Sequence, residues 1–404
     1  MNISFIWSEF RAKAERAKHG MGFLVVVLLM ILSAGNGFSQ GRIEAGPEDS
    51  GPNNTDIPDF YKSRLSDIDE ELADVAKGAV KAVAISPGGL TVYAVYYGEK
   101  ENFYSQANYN SAVAAGNPAF FAKKGNSTKP VVFFIGPVHG QEVEGIVGIV
   151  NLIHIAETGR DHRGKEWPSL KSKMEQCRIV IIPCANPDGR RRNPYNSYVG
   201  IPVRIMTKYG QGTHKDGTSW GWPQSKSLHP MVGDVGILGG YYNDDGINVM
   251  HDDFFAPMAV ETKAILDIAR TEVPDICVSL HSHQNPPRIL PAAYVPWFMK
   301  KRVDELTRQL NQKHKNSGLA YTNEDWIGEP SVEDRDFPPK SSFNLISALH
   351  QISGTMAFTF ECPHGTVPEA NQKPIVTHDD ILDIQLTLYD EMLDYVIETR
   401  LYWK

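Results

Sequence analysis

The chain has 404 residues, 42% of them hydrophobic, with 40 basic against 48 acidic side chains and a formal charge of -8. That length suits one large α/β domain or two smaller ones behind an export segment, and the apolar fraction can supply a sizeable core. The first 40 residues hold four basic and two acidic groups, so the remainder carries -10; with no basic patch standing out, a nucleic-acid partner is not expected.

At the N-terminus, Arg11, Lys13, Arg16 and Lys18 precede "FLVVVLLMIL", and the small-residue stretch "SAGNGFSQ" follows. This is the charged, apolar and cleavage-region order of a secretory signal, so residues 1–40 read as a signal peptide or retained N-terminal anchor and the protein as secreted or held in the cell envelope. The apolar run is short of the roughly 20 residues of a membrane span, and no stable membrane insertion is expected beyond that segment. Residues 41–75 read as a leader rich in Gly, Pro and Asp, ending in a short helix over "SDIDEELADVAKG" with Ser66 near its start. Residues 76–404 form the expected main domain.

Within it, "KAVAIS", "TVYAVYYG", "PVVFFIG", "CRIVIIPC", "DICVSLH" and "TMAFTFE" read as strands. Helical patterns lie between them in "GIVGIVNLIHIAE", "PMAVETKAILDIAR", "WFMKKRVDELTRQLNQ" and "DDILDIQLTLYDEMLDYVIETR". Alternating strands and helices predict an α/β fold with a mixed, largely parallel central sheet and helices on both faces. Ligands of such sheets bind at the carboxyl ends of the strands. Residues 187–250, rich in Gly, Asn, Tyr, Asp and Pro, fit no regular element, and their aromatic content argues for a packed, functional loop. Cys177, Cys184, Cys277 and Cys362 lack C-x-x-C spacing and read as buried thiols.

The polar residues that follow the strands carry the chemistry. In "FIGPVHGQEVEG", His139 and Glu142 stand in H-x-x-E spacing just past a strand end. His154 and Glu157 share the spacing inside an amphipathic helix, where an ordinary surface role is the better reading. "DICVSL" runs into "HSHQN" and "TMAFTF" into "ECPHG", so His281 and Glu361 occupy the same kind of position. Two histidines and a glutamate as ligands, plus one free carboxylate, meet the minimum for one catalytic zinc ion: three protein ligands, an open water position and a base.

"PVHGQE", "NPDG", "LHSH" and "FTFE", in this order, resemble the motifs of the zinc metallocarboxypeptidases of the carboxypeptidase A and B type, over roughly residues 80–400. The resemblance implies that His139, Glu142 and His281 hold one zinc ion and that Glu361 is the general base. It implies an exported peptide or amide hydrolase acting on a peptide or acyl-amino-acid substrate. Arg204 lies at the family's distance for the oxyanion cation, with Arg190, Arg191 and Arg192 as rivals. The sequence also departs from the family. Met250 and His251 stand where an Asn-Arg pair holds the substrate carboxylate, Asn248 (or Asp245) stands for the acidic partner of the first zinc histidine, and no tyrosine lies between Tyr321 and Glu361. Arg190, His251, His283 and Lys340 are the candidate substrate-binding residues, with Arg335 and Asn344 also considered for the missing tyrosine. Ile346 falls near the specificity position and suggests an apolar side chain. A zinc-dependent deacylase or cell-wall peptidase, or a non-catalytic binding protein on the same fold, are the alternative readings.

Overall fold

The computed structural model describes residues 56–322 and 342–399. The expected signal segment, Arg335 and Lys340 lie outside the described residues. The chain enters through helix α1 (Leu65–Ala73) and then forms β1 (Ala79–Ile85) and β2 (Thr91–Tyr97), followed by the short α2 (Tyr109–Ala114) and β3 (Val131–Ile135). Helices α3 (Glu144–Thr158) and α4 (Pro168–Glu175) lead to β4 (Arg178–Ile182), then α5 (Pro187–Arg192), α6 (Val203–Gln211) and α7 (Val260–Glu272). β5 (Ile276–His283), β6 (Arg288–Pro291), α8 (Trp297–Asn316), α9 (Leu345–Ser353), β7 (Met356–Pro363) and α10 (His378–Thr399) complete the order.

The seven strands make one sheet in the order β1-β2-β4-β3-β5-β7-β6. The centre is parallel, through the β3–β4, β3–β5 and β5–β7 pairs, and both edges are antiparallel. All six strands expected from the sequence form. β6 is additional; its four residues are too short for an alternating pattern to be read.

Strand side chains alternate between faces, so one apolar run serves two cores. Val132, Phe134, Ile179 and Ile181 pack on one face with α3, α8 and α10, whereas Phe133, Ile135, Val180 and Ile182 pack on the other with α7 and α9. This explains why the central strands read as continuous apolar runs. Helix α1 joins the first core through Ile68 and Leu72. All four cysteines are buried and free. Among the described residues, no helix is long and apolar enough to cross a membrane.

His314, on α8, is fully buried, and burial lowers its pKa from 6.5 to about 4. The unfolded chain therefore binds more protons than the folded one between those values, and stability falls as pH drops from about 6.5 to 4. The shift corresponds to about 3 kcal/mol across that window. Urea unfolding of His314→Leu at pH 4.5 and 7 should show a clearly smaller difference than that of the wild type. An unchanged pH dependence would remove His314 as a source of acid sensitivity.

Candidate metal centre

Strand β3 is where the strand order reverses, with β4 on one side and β5 on the other, so a crevice opens at its carboxyl end. The chain leaves β3 through Gly136-Pro137 and reaches His139 and Glu142 just before α3. Gly140 is required there by close approach: a Cβ on it would fall 2.0 Å from the Arg190 amide nitrogen and 2.1 Å from the Gly189 carbonyl carbon. His281 comes from β5 and Glu361 from β7, and the two are direct partners in the parallel register. Arg288 of β6 pairs with Glu361 on its other side, so His281, Glu361 and Arg288 form one row across three strands.

The ligand atoms of His139, Glu142 and His281 lie within 4.8 Å of one another, and all three residues are buried. The two carboxylate oxygens of Glu142 divide between the imidazoles, at 3.0 Å from His139 Nδ1 and 2.9 Å from His281 Nδ1. The opposite nitrogen of each ring is held separately. His139 Nε2 lies 3.2 Å from Asn248 Oδ1, and His281 Nε2 lies 3.0 Å from the Ser279 hydroxyl. An N–H on each Nε2 leaves both Nδ1 lone pairs directed at the same place, the arrangement that outer partners give metal-binding histidines. Tyr241 stacks on the His139 ring, with centroids 4.0 Å apart. Two imidazole nitrogens and one carboxylate suit zinc in type and number.

The electrostatics keep Glu142 ionised. Burial pushes its pKa up, but His139 and His281 outweigh it, and the carboxyl sits well below its usual range. Burial lowers the pKa of His139 against the pull of Glu142. For His281, burial is outweighed by Glu142 and Glu361, and the pKa rises. Glu361 is pushed up to about 7, chiefly by burial, with Glu142 adding to the rise and His281, Lys226 and Arg288 opposing it.

These residues open into a cavity of about 1140 Å³, lined among others by Lys226, Arg288, Lys300, Met250, His251 and His283. The arginines expected at the reacting centre go elsewhere. Arg204 is exposed on α6 and is not among the cavity-lining residues; Val203, Met206 and Thr207 provide that wall. Arg190 is buried, with its guanidinium donating to the carbonyls of Ser63 and Asn193 and to Asn196 Oδ1. Arg191 and Arg192 pair with Asp244, and Arg192 also donates to the carbonyls of Leu238, Gly239 and Tyr242. The "RRR" run thus ties α5 to its surroundings, because a helix this short leaves its long side chains free to satisfy nearby carbonyls.

His251 does line the cavity, but burial first, and then Lys226 and the histidines around it, drive its pKa to about 3, so it is neutral at physiological pH. His283 lines the cavity with Nε2 2.8 Å from the Pro286 carbonyl. Asn248, not Asp245, meets His139. Asn344 caps α9 and lines the cavity beside Ile346. Sequence reasoning missed Lys226, Arg288 and Lys300 as cavity cations. Lys226 keeps solvent exposure at the cavity mouth. Its pKa is lowered by burial against the pull of the Glu361 carboxylate. It lies in the loop over 187–250, whose aromatic content was the only signal.

Residues 69–200 match the zinc carboxypeptidase family model. No curated protein matches the chain in sequence. Among solved structures, the chain is similar to a metallo-carboxypeptidase from Burkholderia cenocepacia, at 12% identity over 83% of this chain and 68% of that one, with a TM-score of 0.51. It is also similar to a protein from Shewanella denitrificans provisionally described as a carboxypeptidase A, at 11% identity over the same shares, with a TM-score of 0.50. At such identities these structures speak for the fold. The fold and the partial family-model match point the same way, toward similarity with the zinc metallopeptidases. Over residues 69–200 the similarity is to the zinc carboxypeptidases in particular.

Two variants test the centre. His139→Ala should lose the zinc of this centre on dialysis. Asn248→Ala leaves the three ligands in place but frees the His139 ring, and its zinc affinity should fall about 10–100-fold. Unchanged affinity in Asn248→Ala would show that the Nε2 contact does not orient the ring.

Proposed function

We propose that the protein is an exported zinc-dependent peptidase that cleaves an amide bond with Glu361 as general base. The observation that carries this reading is the convergence of His139, Glu142 and His281 within 4.8 Å, with Glu361 in register with His281 at the same cavity. Zinc, when bound by those three side chains, supplies a Lewis acid and lowers the pKa of water to about 7. Glu361 then accepts a proton from the water that attacks the carbonyl carbon. As the C–N bond breaks, Glu361 delivers that proton to the leaving nitrogen, so one carboxyl serves as base and then as acid. Burial raises its pKa to about 7, and His281 and Arg288, its neighbours on either side, both oppose that rise. Lys226 is the cation assigned to negative charge on the substrate, in place of the arginines that the structure holds elsewhere.

Export is supported by the N-terminal order of charged, apolar and small residues. One zinc ion serves the reaction, and the substrate is a peptide or an acyl-amino acid. The apolar Ile346 in the cavity wall favours an apolar side chain next to the scissile bond. A second reading, a deacylase or cell-wall peptidase that recognises no terminal carboxylate, is favoured by Met250 and by the neutral His251 at the cavity.

Glu361→Gln should keep its zinc and lose at least about 10²-fold in turnover, the low end for general-base catalysis; near-normal turnover would remove Glu361 from the role. Lys226→Met should retain zinc and lose at least about tenfold in kcat/KM. Cleavage of one peptide with a free and with an amidated C-terminus separates the two readings. A carboxypeptidase cleaves only the free form, and equal rates on both would overturn that reading in favour of the second.

A further inference from the structure

The H-x-x-E of α3, His154 and Glu157, does not act as a pair. Glu157 accepts from the Lys77 amide and the Tyr97 hydroxyl. His154 turns instead to Glu71 of α1, and so does His162 from the loop after α3. We propose that Glu71, His154 and His162 form a second divalent-metal site, suited to zinc, which fastens α1 to the body of the domain.

The ligand atoms of the three residues lie within 4.8 Å of one another. Glu71 Oε1 is 3.2 Å from His154 Nδ1, and Oε2 is 2.9 Å from His162 Nε2. The imidazole rings stack with centroids 4.0 Å apart and planes 23° from parallel. A simple pairing of one carboxylate with one surface histidine accounts for neither the second imidazole nor the stacking, and two protonated rings stacked face to face would repel. His162 is also placed from behind: its amide donates to Asn151 Oδ1, and the buried Asn151 Nδ2 donates to the carbonyls of Phe60 and Val147.

Glu71 is buried and both histidines are intermediate in exposure, which leaves a coordination position for water. Two imidazoles, one carboxylate and water form a four-ligand set appropriate to zinc and acceptable to other late first-row ions. A modest rotation of each ring out of the stack is needed to bring both lone pairs onto one ion. His154 lies ten residues beyond the first residue of α3, about 15 Å along the helix, and none of the three residues lines the catalytic cavity. The site therefore stands whether or not the proposed hydrolysis is right.

The test counts metal in the full-length protein. After zinc loading and dialysis, the wild type should hold two equivalents. His154→Ala/His162→Ala should hold one and keep its hydrolytic activity, whereas His139→Ala/His281→Ala should hold one and lose that activity. In the latter variant, added zinc should raise the melting temperature, because its remaining site ties α1 down. Should the double alanine variant at the second site fail to fold, Glu71→Gln keeps the shape of the side chain and should weaken the second equivalent at least tenfold in a chelator competition. A wild type that saturates at one equivalent would overturn the proposal. A second equivalent that survives His154→Ala/His162→Ala, or keeps its affinity in Glu71→Gln, would also overturn it.

Discussion

The parallel register of β5 on β7 is the constraint on which the centre depends. Because side chains alternate along a strand, a slip by one residue would turn His281 or Glu361 to the opposite face of the sheet. The register holds over eight consecutive partners, from Ile276 opposite Met356 to His283 opposite Pro363. Seven of those eight β5 residues are buried, and Ile276, Cys277, Val278 and Leu280 belong to the two apolar layers, so the packing of Val278, Leu280, Phe358 and Phe360 sets where His281 and Glu361 stand. The chemistry is thus positioned by residues that take no part in it.

The remaining ligands are placed by a different device. His139 and Glu142 sit between a strand end and a helix, where backbone geometry alone would not fix their side chains. The loop over 187–250 supplies what is missing: the Gly240 carbonyl accepts from the Gly140 amide, Tyr241 stacks on the His139 ring, and Asn248 engages its Nε2. The segment, expected to hold no regular element, contains α5 and α6, helices too short to show a period in the sequence, and its polar groups are spent on the motif it encloses.

These two devices explain what could be read from the sequence. Strands buried on both faces leave apolar runs that announce themselves, and a polar residue directly after such a run is conspicuous; His139, Glu142, His281 and Glu361 were legible for that reason. The cations were not. Arg190, Arg191 and Arg192 form the most visible basic cluster, yet they serve carbonyls and Asp244. Lys226 has no run, period or spacing around it, and only the folded path of its loop brings it toward Glu361. The H-x-x-E of α3 misled in the opposite sense: the histidine has partners, but they lie 83 residues earlier and 8 residues later, beyond the reach of any local pattern. β6 and the helices α2, α4, α5, α6 and α9 escaped because short elements carry too few residues to show a period.

The buried guanidinium of Arg190 takes one of its acceptors from Ser63, while Asn151 in the middle of α3 reaches back to the carbonyl of Phe60. The segment just ahead of α1 is thereby part of the interior hydrogen bonding of the domain. A chain break in that segment is therefore not a surface event: a cut past Ser63 would strand a buried positive charge beside the metal-bearing loop.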